Sequence, residues 1–200
     1  MGTHAATAYY PQTCSIDLTD KVCTMHGNLS VRHFREEGWR MGTQAEELAR
    51  RFEAAHRAVV EAVERLDEAQ LGTSCEAEQC TAVALGCHVA EAHAVIAEWV
   101  RAAAAGEALP EITMADVDRS NAERAAANAG CSKAEALERL RANGAAAAAV
   151  VRGLRDEDLE RTAPFALFGG SEISVRTLIE RVLIGDPEQH LPSLQAAAAA

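Results

Sequence analysis

Residues 80–105 read CTAVALGCHVAEAHAVIAEWVRAAAA, and this stretch decides the fold class. Leu85, His88, Ala92, Val95, Ile96 and Trp99 recur at the spacing of one helix face. Alanine fills most of the remaining positions; it is the strongest helix former and buries little area per residue. Gly106 and Pro110 supply the stop. A core made from such a segment requires helices in close contact, because sheets favour branched and aromatic side chains.

The same pattern continues on both sides. Over 43–69, Leu48, Ala49, Phe52, Ala55, Val59, Val63 and Leu66 share one face, while Glu46, Arg50, Glu53, Arg57 and Glu61 face away. Gly72 ends that helix, and a polar connection, Thr73–Gln79, follows. Downstream, a short helix is expected over 115–128. Ser132 opens S-K-A-E, a capping box for a third long helix over 133–154, with Leu137, Leu140, Val150, Val151 and Leu154 inward. Gly144 and the alanines there let a neighbour approach closely. Residues 155–173 read as a connection without a convincing strand, and Ser174 caps a last helix carrying Val175, Leu178, Ile179, Val182 and Leu183. The expectation is all-α: a four-helix bundle with one short extra helix, crossings of about 20°, and sites between facing helices.

The chain has 200 residues, 48% of them hydrophobic but only 4% aromatic, which suits one helical domain. Its formal charge of −11, with no concentrated Lys/Arg face, argues against a nucleic-acid partner. No run of ~18 uncharged apolar residues suggests a membrane span. The N-terminal segment lacks the basic-then-apolar order of a signal peptide, so a cytoplasmic protein is expected. Cysteines stand at 14, 23, 75, 80, 87 and 131 without a CxxC pair, which reads as reduced thiols rather than a zinc ribbon. Cys80 and Cys87, on one face of the predicted helix, could lie near a site.

Residues 1–42 hold both tyrosines, two of the six cysteines and three of the seven histidines, with no sustained helical period. A poorly ordered extension is expected there, followed by the bundle over 43–195 and an alanine tail over 196–200. Glu36–Met41 could be encoded by a purine-rich run like a ribosome-binding site, making Met41 a natural start. His4, His26 and His33 are therefore discounted as ligands.

Three residues carry the chemistry. His88 lies on the apolar stripe of the second helix and faces inward, while Asp186 and His190 are four apart, one turn from each other on a continuous helix. A carboxylate buried among alanine and leucine is costly unless a cation offsets its charge. Imidazole and carboxylate suit a divalent metal, zinc or nickel first, and three protein ligands leave positions open for water and substrate. Such a site is expected near one end of the core. Plain structural readings stand beside this one. His88 can be a hydrogen-bonded core histidine. Gly185-Asp186-Pro187 reads equally as a helix end with Asp186 capping a fresh helix. His93, about 140° round the helix from His88, reads as a surface or flank residue, and His56 as a core-edge histidine or a fourth ligand. Asp116, Asp118 and Asn121 are expected to cap and polarise the short helix.

Several segments resemble a known family. Cys80–Ala90 resembles the "WTV..VLAHLA" helix of the DinB-like superfamily, in the branch containing mycothiol-dependent maleylpyruvate isomerase. Asp116–Asn121 resembles its "D.D..N" segment and Leu154–Leu159 its "LSDEDL" turn; Ser174–Ile179 and His190–Leu194 also fit, so the likeness covers about 43–195. The resemblance implies a four-helix bundle whose metal takes one histidine from the second helix and an acidic residue and a histidine from the fourth. His88, Asp186 and His190 fall on those positions. Cys80 departs from the family tryptophan, and the break at Gly185 departs from its continuous helix. The isomerase's further C-terminal domain has no counterpart beyond the alanine tail, so isomerase activity itself is not expected.

These readings imply a metal-dependent thiol transferase, in which a divalent ion activates a low-molecular-weight thiol such as mycothiol toward an electrophilic small-molecule substrate. Metal-assisted hydrolysis is the alternative. A metal-free bundle serving dimerisation or small-ligand binding is a third reading, since alanine- and glycine-rich faces suit a homodimer.

Overall fold

Each long periodic segment is a helix in the structure, a computed structural model that describes residues 43–200. Helix α1 spans Thr43–Arg65, α2 Ala82–Ala105, α3 Met114–Asn128 and α4 Lys133–Arg152. Side-chain caps fix their starts. Thr81 accepts from the Ala84 N–H, and Thr113 with Asp116 and Ser132 with Glu135 form capping boxes. Helix α1 is capped from across the fold: Asp156 accepts from the N–H groups of Gln44 and Ala45 at 3.1 and 3.4 Å. Its other end comes at Arg65, short of the expected 69. Asp67 and Gln70 each bond the other's backbone N–H at 2.9 Å and close a turn instead.

The last helical run starts behind the Ser174 cap as α5 (Val175–Leu178), widens to a π turn over Ile179–Leu183, and continues as α6 (Gly185–Ala197). Helix α2 makes its largest interface with α4, α4 also packs on α1, and α6 lies against α1 and α2, whereas α1 and α2 meet only slightly. The order round the bundle is therefore α1, α4, α2, α6, with α3 leaning on α2. That placement surrounds α2. Its residues Ala82–Cys87 are buried without interruption, so the single stripe expected for this helix is too narrow. By length and composition α2 is apolar enough to cross a membrane, although Glu91 and Glu98 interrupt it, as expected from the sequence; 67% of its most apolar window is buried inside the fold, which accounts for that composition.

The expectation of no strands is corrected at two places. Ser74–Cys75 (β1) pairs antiparallel with Cys80–Thr81 (β2), and Thr162–Phe165 (β3) pairs with Ser171–Ser174 (β4). In the second hairpin Ala163, Phe165 and Ile173 are buried while their chain neighbours are not, the alternation of a half-buried strand. Phe165 is the reason the hairpin holds. Its ring sits 5.3 Å from Trp99 and joins the apolar cluster that also contains Leu178 and Leu183. Residues 1–42, including the expected extension and its histidines, lie outside the described residues.

Candidate metal centre

The core falls into two main apolar clusters, and the bundle helices pass from one to the other. Helix α1 leaves the first after Phe52 and joins the second at Val59; α2 runs from Leu85 and Val89 in the second to Ala92 and Ile96 in the first. Helix α4 crosses between Leu140 and Ala147, and the last run between Ile184 and Leu194. At the crossing level stand His56 on α1, His88 and His93 on α2, Gly144 on α4, and Asp186 and His190 on α6. The site is thus a group of polar residues near the crossing between two apolar halves, opening toward the connection at the start of α2.

Asp186 and His190 share a face because the helix does not break at Gly185. Pro187 lacks an N–H, and in a regular helix its ring would strike the carbonyl one turn earlier. The turn just before it is widened: the Ile184 N–H reaches back five residues to the Ile179 carbonyl at 2.9 Å. The chain stays helical, and the alternative reading of Asp186 as the cap of a separate helix is not met. Asp186 Oδ1 lies 3.6 Å from His190 Nε2 and 3.9 Å from His88 Nε2. The two imidazoles stand nearly perpendicular, 4.9 Å between centroids. One ligand atom from each of the three residues falls within 4.8 Å of the others.

Glu78 completes the surroundings. Its Oε1 lies 3.0 Å from His190 Nδ1, an ion-pair distance outside hydrogen-bond alignment, and accepts from Ser193 Oγ at 3.3 Å. Sequence reasoning missed Glu78, because it sits in the short 3₁₀ turn between β1 and β2 and no helical period points to it. Burial opposes charge on both histidines. For His88 it prevails over the attraction of Asp186 and holds the pKa below the ordinary value. For His190 burial is the largest single influence, but Asp186 and Glu78 together outweigh it and raise the pKa. Asp186 Oδ2 is buried with no hydrogen-bond partner.

Glu78, His88 and His190 line a cleft of about 1010 Å³. Thr81, Asp118 and Asn121 line it with polar groups, and the alanines of α3 form an apolar wall. Asp116 does cap α3, as expected; Asp118 and Asn121 face the cleft instead. Cys80 lines the cleft from β2, ahead of the helix rather than on it, while Cys87 turns toward Cys131.

His56 and His93 do not join the three. His93 is 0% exposed, correcting its expected surface position, because it packs against α1 while the outer stripe of α2 runs through Ala94, Glu98 and Arg101. It meets Phe52 edge-on at 4.9 Å and His56 at 5.2 Å, and neither of its ring nitrogens has a hydrogen-bond partner. Gly144 makes room for His56: a Cβ there would fall 2.4 Å from the ring.

The sequence profile of one family, described as the DinB superfamily, matches residues 51–190, which spans all three convergent residues. No curated protein and no solved structure gives a significant match.

Proposed function

The chain belongs to the DinB superfamily, and from that premise we propose that it is a divalent-metal-dependent enzyme transferring a low-molecular-weight thiol. One observation carries the metal: a carboxylate buried with an unpartnered oxygen, facing two imidazole nitrogens across less than 4.8 Å. Without a cation such a group is left costly and unsatisfied. Two imidazoles and one carboxylate suit zinc or nickel, and His88, Asp186 and His190 would hold the ion. A divalent ion bound there would supply Lewis acidity, lowering the pKa of a thiol brought to it so that thiolate forms at neutral pH.

The protein's own groups do the rest. Glu78 holds His190 by its Nδ1 side, leaving Nε2 directed at the centre. Burial keeps His88 uncharged near neutrality and so available as a ligand. The cleft presents an apolar alanine wall opposite Thr81, Asp118 and Asn121, a surface for a small molecule with both apolar and polar parts. The mycothiol class is our reading for the thiol, supported by the resemblance of the second and last helices. Asp186 does not cap a separate helix, the arrangement that would have favoured a metal-free bundle.

Elemental analysis and metal titration of the full chain test the centre. About one equivalent of ion should bind, and a triple alanine replacement of His88, Asp186 and His190 should retain none. Glu78→Gln should weaken binding roughly 10- to 100-fold, the usual cost of losing a ligand's supporting partner. Thiol transfer is tested separately by adding a small thiol to the cobalt-loaded protein. A new sulfur-to-cobalt charge-transfer band supports it; an unchanged spectrum with activity toward water alone assigns hydrolysis instead.

A further inference from the structure

Cys87 precedes His88 in the chain yet faces the other way. Its Sγ lies 2.8 Å from Cys131 Sγ, with the Cys87 S–H directed at it. Cys87 is fully buried on α2, whereas Cys131 is half-buried in the turn joining α3 to α4, 44 residues further on. Val83 and Ala136 pack around the pair. Both thiols are free. A covalent S–S bond is ~2.05 Å, so less than about 1 Å of closure separates the two sulfurs from one.

We propose that Cys87 and Cys131 form a redox-modification site at which a peroxide closes an intramolecular disulfide, tying the end of α3 to α2 beside the cleft. The less buried partner reacts first. The Cys131 sulfur, as thiolate, attacks one oxygen of hydrogen peroxide; the O–O bond breaks and the leaving hydroxide takes a proton to become water. The Cys87 sulfur then attacks the resulting sulfenic sulfur, the S–S bond forms, and the hydroxyl leaves as a second water with the Cys87 proton. Two thiols lose two hydrogens and two electrons, and one peroxide becomes two waters. Cys87 is fully buried behind Val83 and Ala136, which fits it to the second step rather than the first.

The geometry gives this bond a consequence for the cleft. Ala125, Ala126 and Ala129 of α3 and the turn after it line the wall opposite His88, and Cys131 follows directly. Closing the disulfide fixes the distance between that wall and α2. The site is independent of which reaction the metal centre supports.

The test treats the reduced full chain with a few equivalents of hydrogen peroxide, blocks remaining thiols, and maps peptides without reduction. A Cys87–Cys131 cross-linked peptide, two hydrogens lighter than its parts, is expected. The melting temperature of the oxidised protein should rise by roughly 10 °C, reverse with dithiothreitol, and stay unchanged in peroxide-treated Cys131→Ser. Recovery of Cys131 as sulfinic or sulfonic acid with Cys87 unlinked would overturn the proposal, as would a linkage of either residue to a different cysteine. The peptide map needs no variant, so a poorly folded Cys131→Ser leaves the outcome decisive.

Discussion

An imidazole enclosed with neither ring nitrogen hydrogen-bonded gives up its hydration and gains nothing equivalent, so His93 holds its proton poorly. Burial comes first and the nearby His56 and His88 add to it, against the attraction of Asp186, pushing the pKa from 6.5 to about 4. The sign for stability follows from proton counts. Between those two values the unfolded chain binds a proton that the folded chain does not, so stability rises with pH across this window and is lost as pH falls below 6.5. At pH 5 the loss from this residue is about 2 kcal/mol relative to pH 8. His190 works in the opposite sense, so the effect is isolated by comparison with His93→Leu. Urea unfolding of chelator-treated protein should show wild type losing about 2 kcal/mol more than the variant between pH 8 and pH 5. Equal losses in the two proteins would discard the assignment. His93 was hidden from the sequence because periodicity alone does not show which flank of α2 a neighbour covers: His93 packs against Phe52 and His56 of α1, while Ala94, Glu98 and Arg101 form the outer stripe.

At the scale of elements, local caps were legible and distant ones were not. Ser132-Lys133-Ala134-Glu135 announces α4 from four adjacent residues, and the capping box is there. Helix α1 instead depends on Asp156, more than one hundred positions away, whose Oδ1 receives the Gln44 and Ala45 N–H groups. A carboxylate at that end also suits the partial positive charge of a helix N-terminus. Asp156→Ala should cost about 1 kcal/mol in urea unfolding and speed hydrogen exchange at the first amides of α1, with Asp156→Asn closer to wild type. Unaltered exchange at Gln44 and Ala45 in the alanine variant would show that the cap contributes nothing. The same division explains Pro187. Sequence rules place a helix boundary at Gly185-Asp186-Pro187, and the π turn that lets the helix continue has no sequence signal of its own. The β3–β4 hairpin was missed for another reason. Its strand Thr162–Phe165 is short and contains Pro164, which lowers any strand reading, and its burial depends on a tertiary partner, Trp99.

Over the whole molecule, the fold class was legible because alanine-rich periodicity permits little besides packed helices, and the three convergent residues because two independent helix faces pointed inward. The level at which they meet was not legible, since it depends on how far each helix is shifted along its neighbours. The structure brings His88, Asp186 and His190 together near where the helices pass between two apolar clusters, where an all-apolar layer would pack at lower cost. Such a polar group weakens the bundle unless something binds it, so metal binding and folding stability should be linked. At free ion 100-fold above its dissociation constant the folded state gains about 2.7 kcal/mol, which for a domain of this size raises the melting temperature by roughly 5–10 °C. Chelation should therefore lower the wild-type midpoint by that amount and leave a triple leucine replacement of His88, Asp186 and His190 unmoved. Because the variant removes the unsatisfied carboxylate as well as the ion, it should melt no lower than chelated wild type. A midpoint insensitive to chelator in wild type, or an equal shift in the variant, would mean that the polar group does not answer to a cation and that its three ligands hold something else.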